Sequence, residues 1–385
     1  MPDSLPPAKG NPPKGEPNPW TLEDLKRHCE TAVKLEMHTI PIYLYPMYAI
    51  NTDPGTLEAK KIANDASNKI KGVVEQEMLH LGLAGNILCS IGGNPKIYGL
   101  EHTPEFPCQI FYDPIDLHLM PPNNDAIETF VRLEAPHQRP DLPRGNIMPG
   151  YDSIGEFYES LERGIKFMDE KMKKEGKTLF DPQYNDRQFT PDDGAYPDGM
   201  IQIKNLNDAL EAMKLIVEQG EGSTVTEHAA PGEESHWQIF ESLVNANIPH
   251  YDVVQDPKTG DPAFNENIKK CMRASDAVYN YLLWSIQCVW TETSHRDDLL
   301  SNISSMMRGI IRPIAQFLVK QKVNGAEDSK HAAPTFNYYQ FGSIESAKED
   351  MIRELTAAEG AYPTGPFSGA LTKAGRLFDL KDLNN

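Results

Sequence analysis

A chain of 385 residues can bury a sizeable core in one elaborated domain or two, and its 37 basic against 56 acidic residues leave a formal charge of −19. That balance argues against nucleic acid and anionic membrane surfaces as partners and favours small or cationic ligands. No apolar run reaches the roughly eighteen residues of a membrane span, and the five cysteines are scattered without Cys-x-x-Cys spacing, so a cytoplasmic protein without a disulfide framework or zinc knuckle is expected.

The first twenty residues are rich in Pro, lack the apolar core of a secretory leader, and read as a disordered tail. Thr21 can cap a first helix running to about Ile50, with Asp24 near its positive end. Pro41 and Pro46 fall inside that run and predict a kink or break in its second half. A second helix spans Leu57 to Ser90 and stops at Gly92-Gly93-Asn94-Pro95. From 94 to 206 the chain is dense in Pro, Gly, Asp and Asn, with helices only in "DAIETFVRLE" and "SIGEFYESLERGIKFMDEKMKKEG". Loops of that length read as functional covers, carrying Phe106, Phe111 and Tyr112. Helical pattern resumes in "NLNDALEAMKLIVEQGEG", "EESHWQIFESLVNA", "NIKKCMRASDAVYNYLLWSIQCVWTE" and "RDDLLSNISSMMRGIIRPIAQFLVKQK"; beyond Lys330 the pattern is uninformative.

On the second helix, Ile70, Val73, Glu77, His80, Leu81, Ala84 and Leu88 share one stripe at the helical period. A carboxylate and an imidazole are therefore turned into the core, where an unpaired carboxylate is costly or shifts its pKa. Taken alone, one Glu-x-x-His is better explained by a buried ion pair. The motif recurs, however, in "PGEESHWQIF" as Glu233 and His236. Glu36 sits mid-helix beside Val33, Ile40 and Pro41, and in "KLIVEQGEG" the stripe of Leu210, Met213 and Val217 continues to Glu221, with Glu218 as the competing choice about a quarter turn away. The set Glu36, Glu77, His80, Glu221, Glu233 and His236 matches the carboxylate-histidine inventory of a di-iron or di-manganese site in a four-helix bundle. Carboxylates bridge hard cations, and one imidazole per ion leaves positions open for dioxygen or substrate. In that scheme Glu77 and Glu233 bridge, Glu36 and Glu221 are terminal, and each histidine donates one ring nitrogen while the other needs an acceptor.

The stretches "LEMHTIPIYLYPMYAI", "EQEMLHLGLAGNILCSIGGNP", "FVRLEAP", "SIGEFYESL", "IVEQGEGS", "EESHWQIF" and "RPIAQFLVKQ…AAPTF" occur in an order that resembles the ferritin-like domain family named after iminophenyl-pyruvate dimer synthase. The resemblance covers Thr21 to Phe336. It implies an all-α, ferritin-like four-helix bundle with additional helices, an insertion over about 94–206 and an extension over 337–385. It also implies oxidative natural-product chemistry, in which relatives of violacein and indolocarbazole formation join two imines made from aromatic amino acids. One departure is Met37-His38, where the family pattern Leu-Glu-His-Ala-Thr-Ile-Pro puts the imidazole one position earlier; His38 is read as structural, with an extra ligand or proton carrier as the alternative.

The expectation is a non-haem oxidoreductase holding two iron ions, or manganese, and using dioxygen on a small amine or imine; a homodimer is compatible with it. The competing readings are a ferroxidase, which the long insertions disfavour, and a non-catalytic interaction protein that keeps the fold. Tyr43, Tyr45 and Tyr48 are read as packing residues before a relay, His228 as exposed, Cys89 and Cys288 as core residues, and Arg308 and Arg312 as surface groups before a substrate anchor. The sequon at Asn302-Ile303-Ser304 is read as coincidental.

Overall fold

The computed structural model describes residues 5–13, 15–111, 113–136, 151–194, 199–221, 234–326 and 329–384. Among them helices dominate, as the sequence predicts: α1 (Leu22–Ala49), α2 (Leu57–Ser90), α3 (Asn124–Leu133), α4 (Ile154–Lys174), α5 (Leu206–Gly220), α6 (His236–Leu243), α7 (Glu266–Thr291), α8 (Arg296–Met306), α9 (Arg312–Leu318), α10 (Ala347–Glu359) and α11 (Ser368–Arg376). None of the described helices is long and apolar enough to cross a membrane.

Four helices close a ring: α1 packs on α2, α2 on α5, α5 on α4, and α4 back on α1. The short helices α3 and α6 pair with each other, and α6 also touches α2 and α5. A second layer is built on α7, which contacts α2, α8, α9 and α10.

The prolines do not break α1. One helix runs through both, and from Leu35 to Pro46 every residue except Leu44 is buried. A proline inside a helix costs about 3 kcal/mol, but burial on nearly all sides of this segment outweighs the two lost backbone bonds. Thr21 caps the start, its hydroxyl accepting from Asp24 N–H at 3.1 Å. On α2 the expected limits hold, and the left-handed Gly92 (φ 74°) turns the chain out while Gly93 N–H donates back to Leu88 at 2.9 Å.

The Pro-rich opening is not a loose tail where it is described. Ala8 N–H donates to the Gln109 carbonyl at 2.6 Å, and Gln109 N–H donates to the Pro6 carbonyl at 2.8 Å. This pairing extends a hairpin of β1 (Cys108–Ile110) and β2 (Ile115–Leu117), neither of which was expected from sequence. Trp20 is buried against Gly164 of α4 and edge-on to His28 of α1. Aromatic burial of this size offsets the ordering cost of a proline-stiffened segment.

The late helix predicted as one run is α8 and α9 joined by a π turn over Met307–Ile311. Pro313 has no N–H, and its ring would collide with the carbonyl four residues back; the wider turn before it accommodates both. The segment beyond Lys330, opaque in sequence, supplies α10 and α11, with α10 packed on α7. All five cysteines are buried and unbridged. Arg308 and Arg312 are exposed, whereas Asn302 is buried, its amide pairing with Phe378 in both directions at 2.8 and 2.9 Å.

Asn86 ties the long insertion to the ring. Its amide donates to the carbonyls of Phe189 and Ile201 at 2.8 and 2.9 Å, while its oxygen accepts from Phe189 N–H at 2.8 Å and from the Trp290 indole at 3.2 Å. The indole lies so close to α2 that a Cβ on Gly85 would sit 2.1 Å from it. Gly85→Ala is expected to lower stability by about 1–3 kcal/mol through overpacking. Gly72→Ala on the same helix meets nothing within 4 Å and is expected to raise stability by roughly 0.5–1 kcal/mol. Thermal denaturation of both variants measures the opposite signs.

Candidate metal centre

The long helices α1 and α2 keep a steady period, so Glu36, Glu77 and His80 are carried into their shared interface and are all buried. Glu77 lies at the middle. Its Oε1 is 2.9 Å from His236 Nδ1, and its Oε2 is 3.8 Å from His80 Nδ1. Each imidazole faces a second carboxylate: His80 Nδ1 is 3.8 Å from Glu36 Oε2, and His236 Nδ1 is 3.7 Å from Glu134 Oε2. The two rings lie 5.4 Å apart between centroids. The result is two half-sites related through one carboxylate, Glu36–His80 on one side and Glu134–His236 on the other.

Every one of these side chains is held from outside by a neutral partner. Tyr158 donates to Glu36 Oε1 at 2.6 Å, Tyr43 donates to Glu134 Oε1, and Thr39 donates to Glu77 Oε2 at 2.7 Å. His80 Nε2 is 2.9 Å from Gln219 Oε1, and His236 Nε2 is 2.9 Å from Gln76 Oε1. The outer atom of each terminal carboxylate and of each imidazole is thereby engaged, and the inner atoms converge.

Burial and mutual repulsion among carboxylates shape the charge. Burial, then Glu77, push the Glu36 carboxyl well above its ordinary range, against the Tyr158 hydrogen bond. Burial also pulls Glu77 upward, but the two imidazoles overcome it and hold Glu77 below the ordinary value. Burial would depress His236; without a cation Glu134 and Glu77 outweigh it and push the imidazole up to about 10, and a bound cation would replace the proton on the inner nitrogen. Tyr43 and Tyr158 stay phenols, raised first by burial and then by the carboxylates they serve.

Ligand atoms of Glu77, His80 and His236 all lie within 4.8 Å of one another, close enough to hold metal. His236 Nδ1 is buried and makes no hydrogen bond, although a Glu77 oxygen is 2.9 Å away. A nitrogen that close to a carboxylate but off the hydrogen-bond direction has the orientation of a ligand aimed at a common point rather than at its neighbour. Carboxylate oxygens with imidazole nitrogens are the donor set of iron and manganese. The residues fit such a group.

The remaining expected residues fall elsewhere or outside the description. Glu221 is buried but sits at the C-cap of α5, where its Oε1 accepts from Gly155 N–H at the start of α4 at 2.5 Å. That carboxylate serves a helix N-terminus, and the carboxylate that stands opposite His236 is Glu134. Glu218 is turned outward, 3.6 Å from Lys214. Glu233 lies outside the described residues, as do His228 and Tyr112. Among the described residues α6 begins at His236 behind a Ser235 cap, with Gln238 answering in a capping box. His38 is turned away from the centre; its Nδ1 bonds the Lys34 carbonyl at 2.6 Å and its ring meets Phe106 edge-on. Phe106 and Phe111 are buried, Tyr45 bonds the Val254 carbonyl, and Tyr48 is buried.

Glu134 had a sequence signal. Ile127, Phe130 and Glu134 recur at the helical period in α3, so the stripe that identified Glu77 also places Glu134 inward at the helix end. Three consecutive residues of α5 and its cap then frame the centre: Gln219 meets His80, Gly220 comes so close to Glu134 that a Cβ would lie 3.2 Å from Oε2, and Glu221 anchors α4.

A model of the ferritin-like family matches residues 29–245, and the chain belongs to that family. The chain is similar to the dichlorochromopyrrolate synthase of Lentzea aerocolonigenes, with 22% identity over 379 residues, 82% of this chain and 36% of that protein. It is also similar to the 2-imino-3-(indol-3-yl)propanoate dimerase of Chromobacterium violaceum, with 23% identity over 79% of this chain and 33% of that protein. The chain thus spans about a third of the length of these curated relatives. Among solved structures, a ferritin-like protein from Caulobacter vibrioides aligns with a TM-score of 0.52 and 22% identity, covering 77% of this chain and 96% of its own, and shares the fold.

A Cβ on Gly155 would lie 2.3 Å from Glu221 Oε2, so Gly155→Ala must expel that carboxylate from the α4 N-terminus. A loss of about 1–3 kcal/mol is expected. Adding Glu221→Ala to it is expected to recover part of the loss, a non-additivity that denaturant melts of the two single variants and the double variant measure; simple additivity would contradict the contact.

Proposed function

We propose that the chain is a non-haem dimetal oxidoreductase in which Glu36, Glu77, His80, Glu134 and His236 hold two divalent cations, iron in the first instance and manganese as the alternative. The observation that carries this reading is the central carboxylate: Glu77 turns one oxygen toward each imidazole, and each imidazole has its own second carboxylate. One cation would lie among Glu36, His80 and Glu77, the other among Glu134, His236 and Glu77. When bound, such a pair of ions supplies one-electron chemistry toward dioxygen.

The chain's own residues set the conditions for that chemistry. Glu77, buried between two imidazoles, is held as a carboxylate and spans both half-sites. Tyr158 and Tyr43 fix the outer oxygens of Glu36 and Glu134, so the inner oxygens remain available at a defined angle. The packed aromatics Tyr43, Phe130 and Phe240 exclude water from the Glu134 side. The substrate class we assign is a small amine or imine derived from an amino acid, within natural-product biosynthesis. The reading is supported by the activities of the two relatives, a dichlorochromopyrrolate synthase and a 2-imino-3-(indol-3-yl)propanoate dimerase.

Elemental analysis and oxygen uptake test the proposal together. Purified wild-type protein is expected to carry about two metal equivalents, and Glu77→Ala, Glu134→Ala and His236→Ala to lose at least roughly half while retaining helicity. Glu221→Ala is expected to keep its metal. Oxygen consumption should depend on added amine or imine and stay low with ferrous iron alone. Full metal content in the Glu77 and His236 variants would refute the centre, and uptake driven by iron without organic substrate would make the protein a ferroxidase.

A further inference from the structure

We infer that Gln76 and Gln219 are a matched pair of positioning residues that make Nδ1 the metal-facing nitrogen of both histidines, and that they do so with neutral amides where a carboxylate would add charge. The inference rests on the dimetal reading. Its basis is crosswise geometry: Gln76 of α2 reaches His236 of α6, and Gln219 of α5 reaches His80 of α2, each with Oε1 at 2.9 Å from Nε2. Which ring nitrogen is free to bind a cation is set by what the other one does. An amide oxygen only accepts, so it keeps the hydrogen on Nε2 and leaves Nδ1 as the lone pair. Both Nδ1 atoms face the carboxylates, and His236 Nδ1 has no hydrogen bond of its own.

The pairing also divides the labour. Each glutamine serves one half-site, so the loss of one should weaken one cation and spare the other. Because the amides are neutral, the described centre has three buried carboxylates, Glu36, Glu77 and Glu134, and no fourth or fifth behind the imidazoles. A carboxylate in either position would make its imidazole a stronger donor.

The test is titration of the metal-stripped full chain with cobalt(II), followed by its ligand-field absorption and by chelator competition, in wild type, Gln76→Leu, Gln219→Leu, Gln76→Glu and Gln219→Glu. Wild type is expected to take two cobalt ions. Each Leu variant should weaken one of them by about tenfold or more and leave the other unchanged, and each Glu variant should bind at least as tightly as wild type. On the zinc-loaded protein, nitrogen-15 spectra of labelled histidine should show hydrogen on Nε2 and metal on Nδ1 for both His80 and His236. Two cobalt ions in wild type with Leu variants within about twofold of it, or metal on Nε2, would overturn the inference and leave the dimetal reading standing. If a Leu variant does not fold, weaker binding by the corresponding Glu variant overturns it instead. A wild-type protein that takes no cobalt would bring down the dimetal reading and this inference together.

Discussion

The structure turns on the burial of Glu77. A carboxylate at the centre of a helical ring costs several kcal/mol in lost hydration unless something answers it, and here one oxygen is answered by His80 of the same helix and the other by His236 of α6. Two more carboxylates close on those imidazoles, which adds negative charge to an already desolvated place. Within the described residues only two imidazoles oppose three carboxylates. The arrangement is balanced by what it can bind, and that is the physical reason for reading it as a cation site.

Much of the rest of the fold serves to hold that centre. The buried middle of α1, prolines included, presents Glu36 to His80, Thr39 to Glu77 and Tyr43 to Glu134. The end of α5 is where the ring closes over the centre, and two glycines allow it: Gly220 permits close approach to Glu134, and Gly155 permits Glu221 to reach the start of α4. Neutral hydroxyls and amides surround the charged set, so each ligand atom is oriented without further charge being buried.

How much of this was legible in the sequence depended on how far each residue lies from a helix end. Glu36, Glu77 and His80 sit deep inside long, regular helices, where the helical period predicts direction well, and they are where that period places them. Glu221 and Glu134 are both C-caps, where the period fixes direction less firmly: Glu221 points to α4, while Glu134 keeps the direction of Ile127 and Phe130. His236 was drawn from a repeated spacing, and it is the first residue of α6; the Ser-x-x-Gln capping box that sets this start was visible in the sequence. The all-α, ferritin-like class came through because it rests on many helices at once. The docking of the opening segment did not, because it depends on pairing between residues about a hundred positions apart, and the hairpin was missed because its three-residue strands are too short to show an alternating pattern.

The most direct measurement of the central claim is an anomalous-difference map at the iron absorption edge, from crystals of this chain grown with ferrous salt. The account predicts two peaks, one on each side of Glu77, one near Glu36 and His80 and the other near Glu134 and His236. A map without peaks at that position, or with iron bound only at the protein surface, would contradict it.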